Sequence, residues 1–142
     1  SYIIDELVSI HKGQEATLTL CTTVVPDFEA WRSMLATYGR IVRGAEGEIE
    51  RIVELKDATP EEAGIKELNV GYYCFEAEWL WESIEKLDLS NAQGEYYLTD
   101  LVEIALKGGL KIKSLTIDPL MSIGVNTKEQ LEQAEKLLYR KK

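Results

Sequence analysis

The sequence has few groups that soft metals prefer: one histidine, His11, and two cysteines, Cys21 and Cys74, far apart in the chain. A structural zinc site needs four such ligands in close pairs, so none is expected. Both cysteines sit in apolar, strand-like stretches and read as reduced core residues rather than a disulfide. No apolar run approaches the ~18–20 residues of a membrane span, and no signal peptide is visible. A cytoplasmic protein without membrane contact is expected. Positive charge is also short: 16 Lys and Arg stand against 25 Asp and Glu, for a net charge of −9. Such a chain repels phosphate backbones, which excludes nucleic acid as a partner bound through a basic face. The one basic cluster, Tyr139-Arg140-Lys141-Lys142, reads as a helix C-terminus meeting its dipole. Repeats, linkers and low-complexity segments are lacking, so residues 1–142 read as a single domain, large enough for a core. The chain opens on Ser1 rather than Met, which reads as a processed or trimmed start.

What is present reads as alternating helices and strands. Ile3, Ile4, Leu7, Val8 and Ile10 predict an amphipathic helix over 2–11, ended at Gly13. The Thr-, Leu- and Val-rich stretch 16–25 suits a buried strand closed by Pro26. Asp27 can cap a short helix carrying Phe28, Trp31, Met34 and Leu35. Residues 40–43 and 48–54, around Gly44-Ala45-Glu46-Gly47, read as a hairpin whose second arm turns Ile49 and Ile52 or Val53 inward. Thr59-Pro60-Glu61-Glu62 is a capping box. A strand is expected over 68–75, and a helix over 77–87 with Trp81 and Ile84 inside. A further helix over 98–107 ends at Gly108-Gly109, and a strand spans 110–117. A last helix over 127–140 opens on a Thr127–Gln130 capping box.

Five short segments carry the chemistry. In Tyr38-Gly39-Arg40-Ile41 the glycine lets backbone approach a ligand closely. Glu54, ending a strand before Leu55-Lys56-Asp57, can accept two sugar hydroxyls at once. Asn69, in Glu67-Leu68-Asn69-Val70-Gly71, is an amide inside an apolar strand and must find partners in protein or ligand. In the run 91–100, Asn-Ala-Gln-Gly-Glu-Tyr-Tyr-Leu-Thr-Asp, Gly94 permits a tight turn. Thr99 or Asp100 can cap the next helix, and Tyr97 and Thr99 offer hydroxyls. Glu95 and Asp100 suit capping or loop pinning as well as ligand contact. In Gly124-Val125-Asn126-Thr127, Asn126 places an amide oxygen where a hard cation could use it.

In this order the segments resemble the sugar-binding portion of bacterial sugar-1-phosphate nucleotidyltransferases, nearest to the domain that makes UDP-N-acetylglucosamine. The run 91–100 matches that pattern almost letter for letter. The resemblance implies an α/β fold: the C-terminal portion of a Rossmann-like, mixed-sheet nucleotide-diphospho-sugar transferase domain. It implies a uridylyltransferase joining UTP and N-acetylglucosamine 1-phosphate, with release of pyrophosphate. Gly39, Glu54, Asn69, Tyr97 and Thr99 would bind substrate, and Asn126 would share Mg²⁺ with an Asp from elsewhere in the family's domain. The chain departs from the pattern at Val70, where the family has Thr, at Leu55, at Met121-Ser122-Ile123, and in the extra segment 27–35.

The family's phosphate loop, Gly-x-Gly-Thr-(Arg/Lys)-(Met/Leu), does not occur in these residues. That loop's backbone amides cradle the nucleotide. No catalytic residue is therefore assigned, and the 142-residue chain alone is expected to turn over negligibly. Its partners would be UTP or a UDP-sugar, a sugar 1-phosphate, and either the missing N-terminal half or a second copy. Strands meant to pair with such a half would leave open edges. The alternatives are another hexose-1-phosphate enzyme, a non-catalytic sugar-nucleotide-binding or partner-assembly module, or an α/β domain without a ligand.

Overall fold

A computed structural model describes residues 2–139. The elements run α1 (Tyr2–Gly13), β1 (Leu18–Val24), β2 (Arg40–Arg43), β3 (Ile49–Val53), α2 (Pro60–Ala63), β4 (Glu67–Phe75), α3 (Ala77–Ile84), α4 (Asp100–Lys107), β5 (Ile112–Ile117) and α5 (Lys128–Tyr139). Short 3-10 turns cover Ala30–Leu35 and Pro119–Ser122. Five strands form one mixed sheet in the order β3-β2-β4-β1-β5, parallel only between β1 and β5. The α/β mixed sheet read from the sequence is the fold observed. Arg140–Lys142, the basic tail, lie outside the described residues. Among those described, no helix is long and apolar enough to cross a membrane.

The central strand β1 explains its own composition. Leu18, Leu20 and Cys21 are buried, and so are Thr19, Thr22 and Thr23. A threonine can sit there only if its hydroxyl is satisfied. Thr19 Oγ1 pairs with His11 Nδ1 at 3.0 Å, Thr22 with Thr116 at 3.0 Å, and Thr23 donates to the Ile117 carbonyl at 2.9 Å. The bonds tie β1 to α1 on one side and β5 on the other. Cys21 and Cys74 are free thiols, and burial pushes Cys21 up to about 11.

Two layers flank the sheet. Ile3 and Leu7 of α1 pack with Cys21 and Ile117, with Val70, Cys74 and Leu115 around them. Leu101 and Val102 of α4 meet Leu18, Leu20, Ile41, Ile49 and Ile52, with Tyr73, Phe75, Trp79 and Leu80 beside them. Here the expected phase of α3 needs correction. Trp81 is 68% exposed and Ile84 38%, whereas Trp79 stacks on Phe75 with ring centroids 6.3 Å apart. The Glu76 carboxylate accepts from the Glu78 and Trp79 amides and starts the helix there. That fixes which turn meets the Tyr73–Phe75 stack.

The short helix expected after Pro26 is present as a 3-10 helix over Ala30–Leu35, but Asp27 does not cap it; the N-cap is Glu29, without a side-chain cap bond. Asp27 accepts from the Glu29 amide, two residues on, and pairs with Arg32. Both expected capping boxes are present, at Thr59–Glu62 and at Thr127–Gln130.

Ser83 in α3 is fully buried, and its hydroxyl has no hydrogen-bond partner among the described residues. A buried, unsatisfied polar group costs ~1–3 kcal/mol. Ser83→Ala removes that group with little loss of volume. A raised midpoint in thermal or urea unfolding is expected; a clear drop would mean that the hydroxyl is satisfied in solution.

Candidate functional site

Three of the sequence-selected residues fall into one row across neighbouring strands. Arg40 pairs with Val53 on β3 and with Leu68 on β4. One step further along those ladders, Gly39 lies between Glu54 and Asn69. The Asn69 amide donates to the Gly39 carbonyl at 2.9 Å. A Cβ on Gly39 would stand 3.1 Å from Ile52 Cγ2 and 3.3 Å from Glu54 Oε1. The missing side chain thus leaves open the space beside the Glu54 carboxylate.

Thr99 joins the row from α4. It lies at the helix start without capping it; its hydroxyl donates instead to Glu54 Oε1 at 3.1 Å. Glu54 is held in a setting that disfavours its charge. Burial raises its pKa above the ordinary value, the Thr99 bond partly opposes this, and the nearby Asp100 and Asp57 raise it further. Asp100 is itself raised by burial and by Asp88, Glu103 and Asp57. A carboxylate in such a place gains by meeting hydrogen-bond donors, which sugar hydroxyls are.

The loop 91–98 is built around Asp57 and Asn91. Asp57 Oδ1 accepts from the Ala92 amide at 2.7 Å. Lys56 Nζ meets Gln93 Oε1, and Gln93 Nε2 donates to the Tyr97 hydroxyl at 2.7 Å. Asn91 Oδ1 accepts from the Gln93 and Glu95 amides, each at 3.2 Å, and its Nδ2 donates to the Glu95 carbonyl at 2.6 Å. Gly94 makes the turn with φ +63°. Burial chiefly, with Asp57 and Glu54 nearby, raises the Tyr97 pKa, and the Gln93 hydrogen bond partly opposes this. Much of the conspicuous run 91–100 therefore shapes its own loop, while Tyr97 and Thr99 face the carboxylates.

Asn69 owes its placement to a bulge. Leu20 pairs with Tyr73 but Thr22 pairs with Asn69, so β4 carries two residues more than β1 across that interval. Gly71 has φ +86° inside the bulge, and its amide donates to Asn69 Oδ1 at 3.1 Å. Val70 then packs into the α1 layer. The bulge also brings in Tyr73, which sequence reasoning did not select. Its hydroxyl is buried beside the Asn69 side chain and near Glu54, in full hydrogen-bond geometry with none of the described residues. Burial chiefly, and Glu54 in addition, raise its pKa, and the neighbouring Asn69 side chain partly opposes them. Asp57 was part of a selected segment but not named as a site residue; only the folded loop reveals its role.

Asn126 stands apart from this cluster. Its side chain is exposed and its amide donates to Gln130 Oε1 at 2.7 Å. The link to the row is Tyr38, whose hydroxyl donates to the Ser122 carbonyl at 2.7 Å and accepts from the Gly124 amide at 2.8 Å. Among the described residues, no group of three or more His, Cys, Asp or Glu side chains could hold a metal ion. One amide oxygen is what this loop offers a hard cation.

Comparison with known proteins shows what the chain is similar to. The "Bifunctional protein GlmU" of Clostridium tetani is 45% identical over 141 residues, covering 99% of this chain and 30% of that protein. Its namesake in Clostridium novyi is 38% identical over 138 residues, 97% of the chain and 29% of the relative. That of Brevibacillus brevis is 42% identical over 133 residues, 93% and 27%. The chain resembles part of GlmU. It spans under a third of the length of these relatives. No model of a protein family matches it. The near-complete coverage of the chain carries the GlmU likeness across every site segment, and the open mixed sheet fits a nucleotidyltransferase-type α/β fold.

Proposed function

We propose that this chain carries the sugar side of an N-acetylglucosamine-1-phosphate uridylyltransferase. The observation that carries the reading is the row Glu54–Gly39–Asn69 with the Thr99 hydroxyl on the Glu54 carboxylate. In the proposed reaction a phosphate oxygen of N-acetylglucosamine 1-phosphate attacks the α-phosphorus of UTP, and pyrophosphate leaves. Such transfer depends on positioning and on charge neutralisation. Glu54 accepts two hydroxyls of the sugar ring, and the Asn69 side-chain amide reads a third polar group. Gly39 lets backbone come close, and Tyr97 and Thr99 close the pocket with hydroxyls. Asn126 would give one oxygen to Mg²⁺, the other ligands being water, phosphate oxygens and a carboxylate from outside these residues. When bound, that ion neutralises phosphate charge.

N-acetylglucosamine is favoured over another hexose because two of the four departures from the family pattern, Val70 and the segment 27–35, do not crowd the row. Val70 packs towards α1. Phe28 and Trp31 of the extra segment pack with Val25, Leu35, Leu68, Tyr38 and Ile123.

The test is titration of ¹⁵N-labelled 142-residue chain with UDP-N-acetylglucosamine and with UDP-glucose. The expected result is a saturable shift of the Gly39, Asn69 and Thr99 amides, stronger for the N-acetylated sugar, and no detectable UTP turnover. Shifts confined to other regions, or none at millimolar ligand, would remove the reading. Turnover by the pure chain would overturn its division of the site.

A further inference from the structure

Arg40 is the largest fully buried side chain in the fold, 2% exposed. No carboxylate pairs with it among the described residues. An unpaired buried charge is costly unless hydrogen bonds take the place of water. Here all three guanidinium nitrogens donate to backbone carbonyls. Nε reaches Ala63 at the end of α2 at 3.2 Å, Nη2 reaches Ala36 at 2.8 Å, and Nη1 reaches Tyr38. Phe28, from the segment after Pro26, lies under the guanidinium, 4.9 Å from Cζ to the ring centroid.

The Tyr38 carbonyl is the decisive acceptor. It shares a planar peptide with the Gly39 N–H, which points the opposite way. Turning the carbonyl in towards Arg40 therefore turns the Gly39 N–H away from the guanidinium. The same residue, Tyr38, holds Ser122 and Gly124 through its hydroxyl. One buried cation thus fixes the turn 36–39, the end of α2 and, through Tyr38, the loop leading to Asn126.

The geometry points to Arg40 as the positioning residue of the sugar row: by clamping the Ala36, Tyr38 and Ala63 carbonyls, it sets the direction of the Gly39 amide against a sugar nucleotide. This rests on the function proposed above. Lysine cannot replace it, since a single ammonium lacks the planar fork that reaches three separated acceptors.

The test uses the 142-residue chain, with Arg40→Lys and, as a milder change that keeps the guanidinium, Phe28→Leu. Ile3→Val, in the α1 layer rather than among the residues that hold Arg40 or form the row, serves as a stability control. The readouts are melting temperature, the Gly39 amide resonance, and affinity for UDP-N-acetylglucosamine. Arg40→Lys is expected to move the Gly39 resonance and weaken binding roughly tenfold to a hundredfold, the scale of a small misplacement at a site. Phe28→Leu should move it in the same direction by less, and Ile3→Val should leave resonance and affinity unchanged. An unmoved Gly39 resonance in both Arg40→Lys and Phe28→Leu overturns the inference. So does a loss of affinity in Ile3→Val equal to that of Arg40→Lys at matched stability. If the unsubstituted chain binds no sugar nucleotide, the proposed function fails, and the resonance still decides whether Arg40 orients Gly39.

Discussion

Glu54→Gln is expected to weaken binding of UDP-N-acetylglucosamine while making the free chain more stable. Hydrogen bonds to a charged group are worth ~1.5–3 kcal/mol each, so losing the charge lowers affinity about tenfold to a hundredfold. Gln keeps the shape and can still accept the Thr99 hydroxyl, so the loss reports charge rather than collapse. The gain in stability comes from the same environment. Glu54 is part-buried, with Asp57 and Asp100 close by, and its folded pKa lies above the ordinary one.

The sign of the pH dependence follows. When a folded pKa is raised, the folded state holds the proton more tightly than the unfolded chain does. Below the ordinary glutamate value, about 4.3, the group is protonated in both states and carries no penalty. As pH rises through that value to the raised folded one, the penalty grows, and above it the penalty is complete. The stability advantage of Glu54→Gln should therefore be full at neutral pH and fade on acidification. Melting temperatures of both proteins across that range, with titrations at neutral pH, check it. An unchanged affinity with a lowered melting temperature would make Glu54 a structural residue only.

The contrast between Glu54 and Trp81 shows what the sequence could and could not convey. Glu54, Gly39 and Asn69 stand out in the sequence because each breaks a local pattern (a charge closing an apolar strand, a glycine at a strand start, an amide inside a strand), and the family resemblance is what gave them an expected role in binding. Their adjacency was not legible from pattern alone, since it needs the β3-β2-β4 order and its register. The inner face of α3 was misread because α3 is short and apolar on several sides, with Trp79, Leu80 and Trp81 in succession. The deciding contact, Trp79 on Phe75, joins two elements. Tyr73 escaped selection for a similar reason. Alternation already puts Tyr73 on the face of Asn69, four residues back, and the two extra residues of the bulge keep that parity; what the sequence does not show is that its hydroxyl comes close to Glu54, which lies beyond β2 at the end of β3. Asp57 was hidden because its partner, Ala92, is 35 residues away.

That bulge carries the second large effect. Gly71→Val is expected to damage stability, binding or both, according to how the bulge responds, whereas Gly71→Asn damages neither to the same degree. Nothing lies within 4 Å of a Cβ placed on Gly71, so crowding is not the reason. The backbone is: φ is +86°, in the left-handed region, where a side chain costs ~1–2 kcal/mol and a β-branched one more. Asparagine tolerates that region better than most residues. The valine variant can respond to the strain in two ways, and one of them reaches the site. If the bulge holds, the strain remains as lost stability. If it relaxes, the Gly71 amide leaves Asn69 Oδ1, and the offset between Thr22–Asn69 and Leu20–Tyr73 changes. A register that moves by one residue exchanges the faces of a strand, so Asn69 would turn from the row towards the α1 layer. Urea unfolding and UDP-N-acetylglucosamine titration of the two variants separate these routes. Lost stability with intact affinity means that the bulge holds under strain. Lost affinity with small loss of stability means that it slips. Equal behaviour of Val and Asn in both assays would show that the left-handed turn is not what places Asn69.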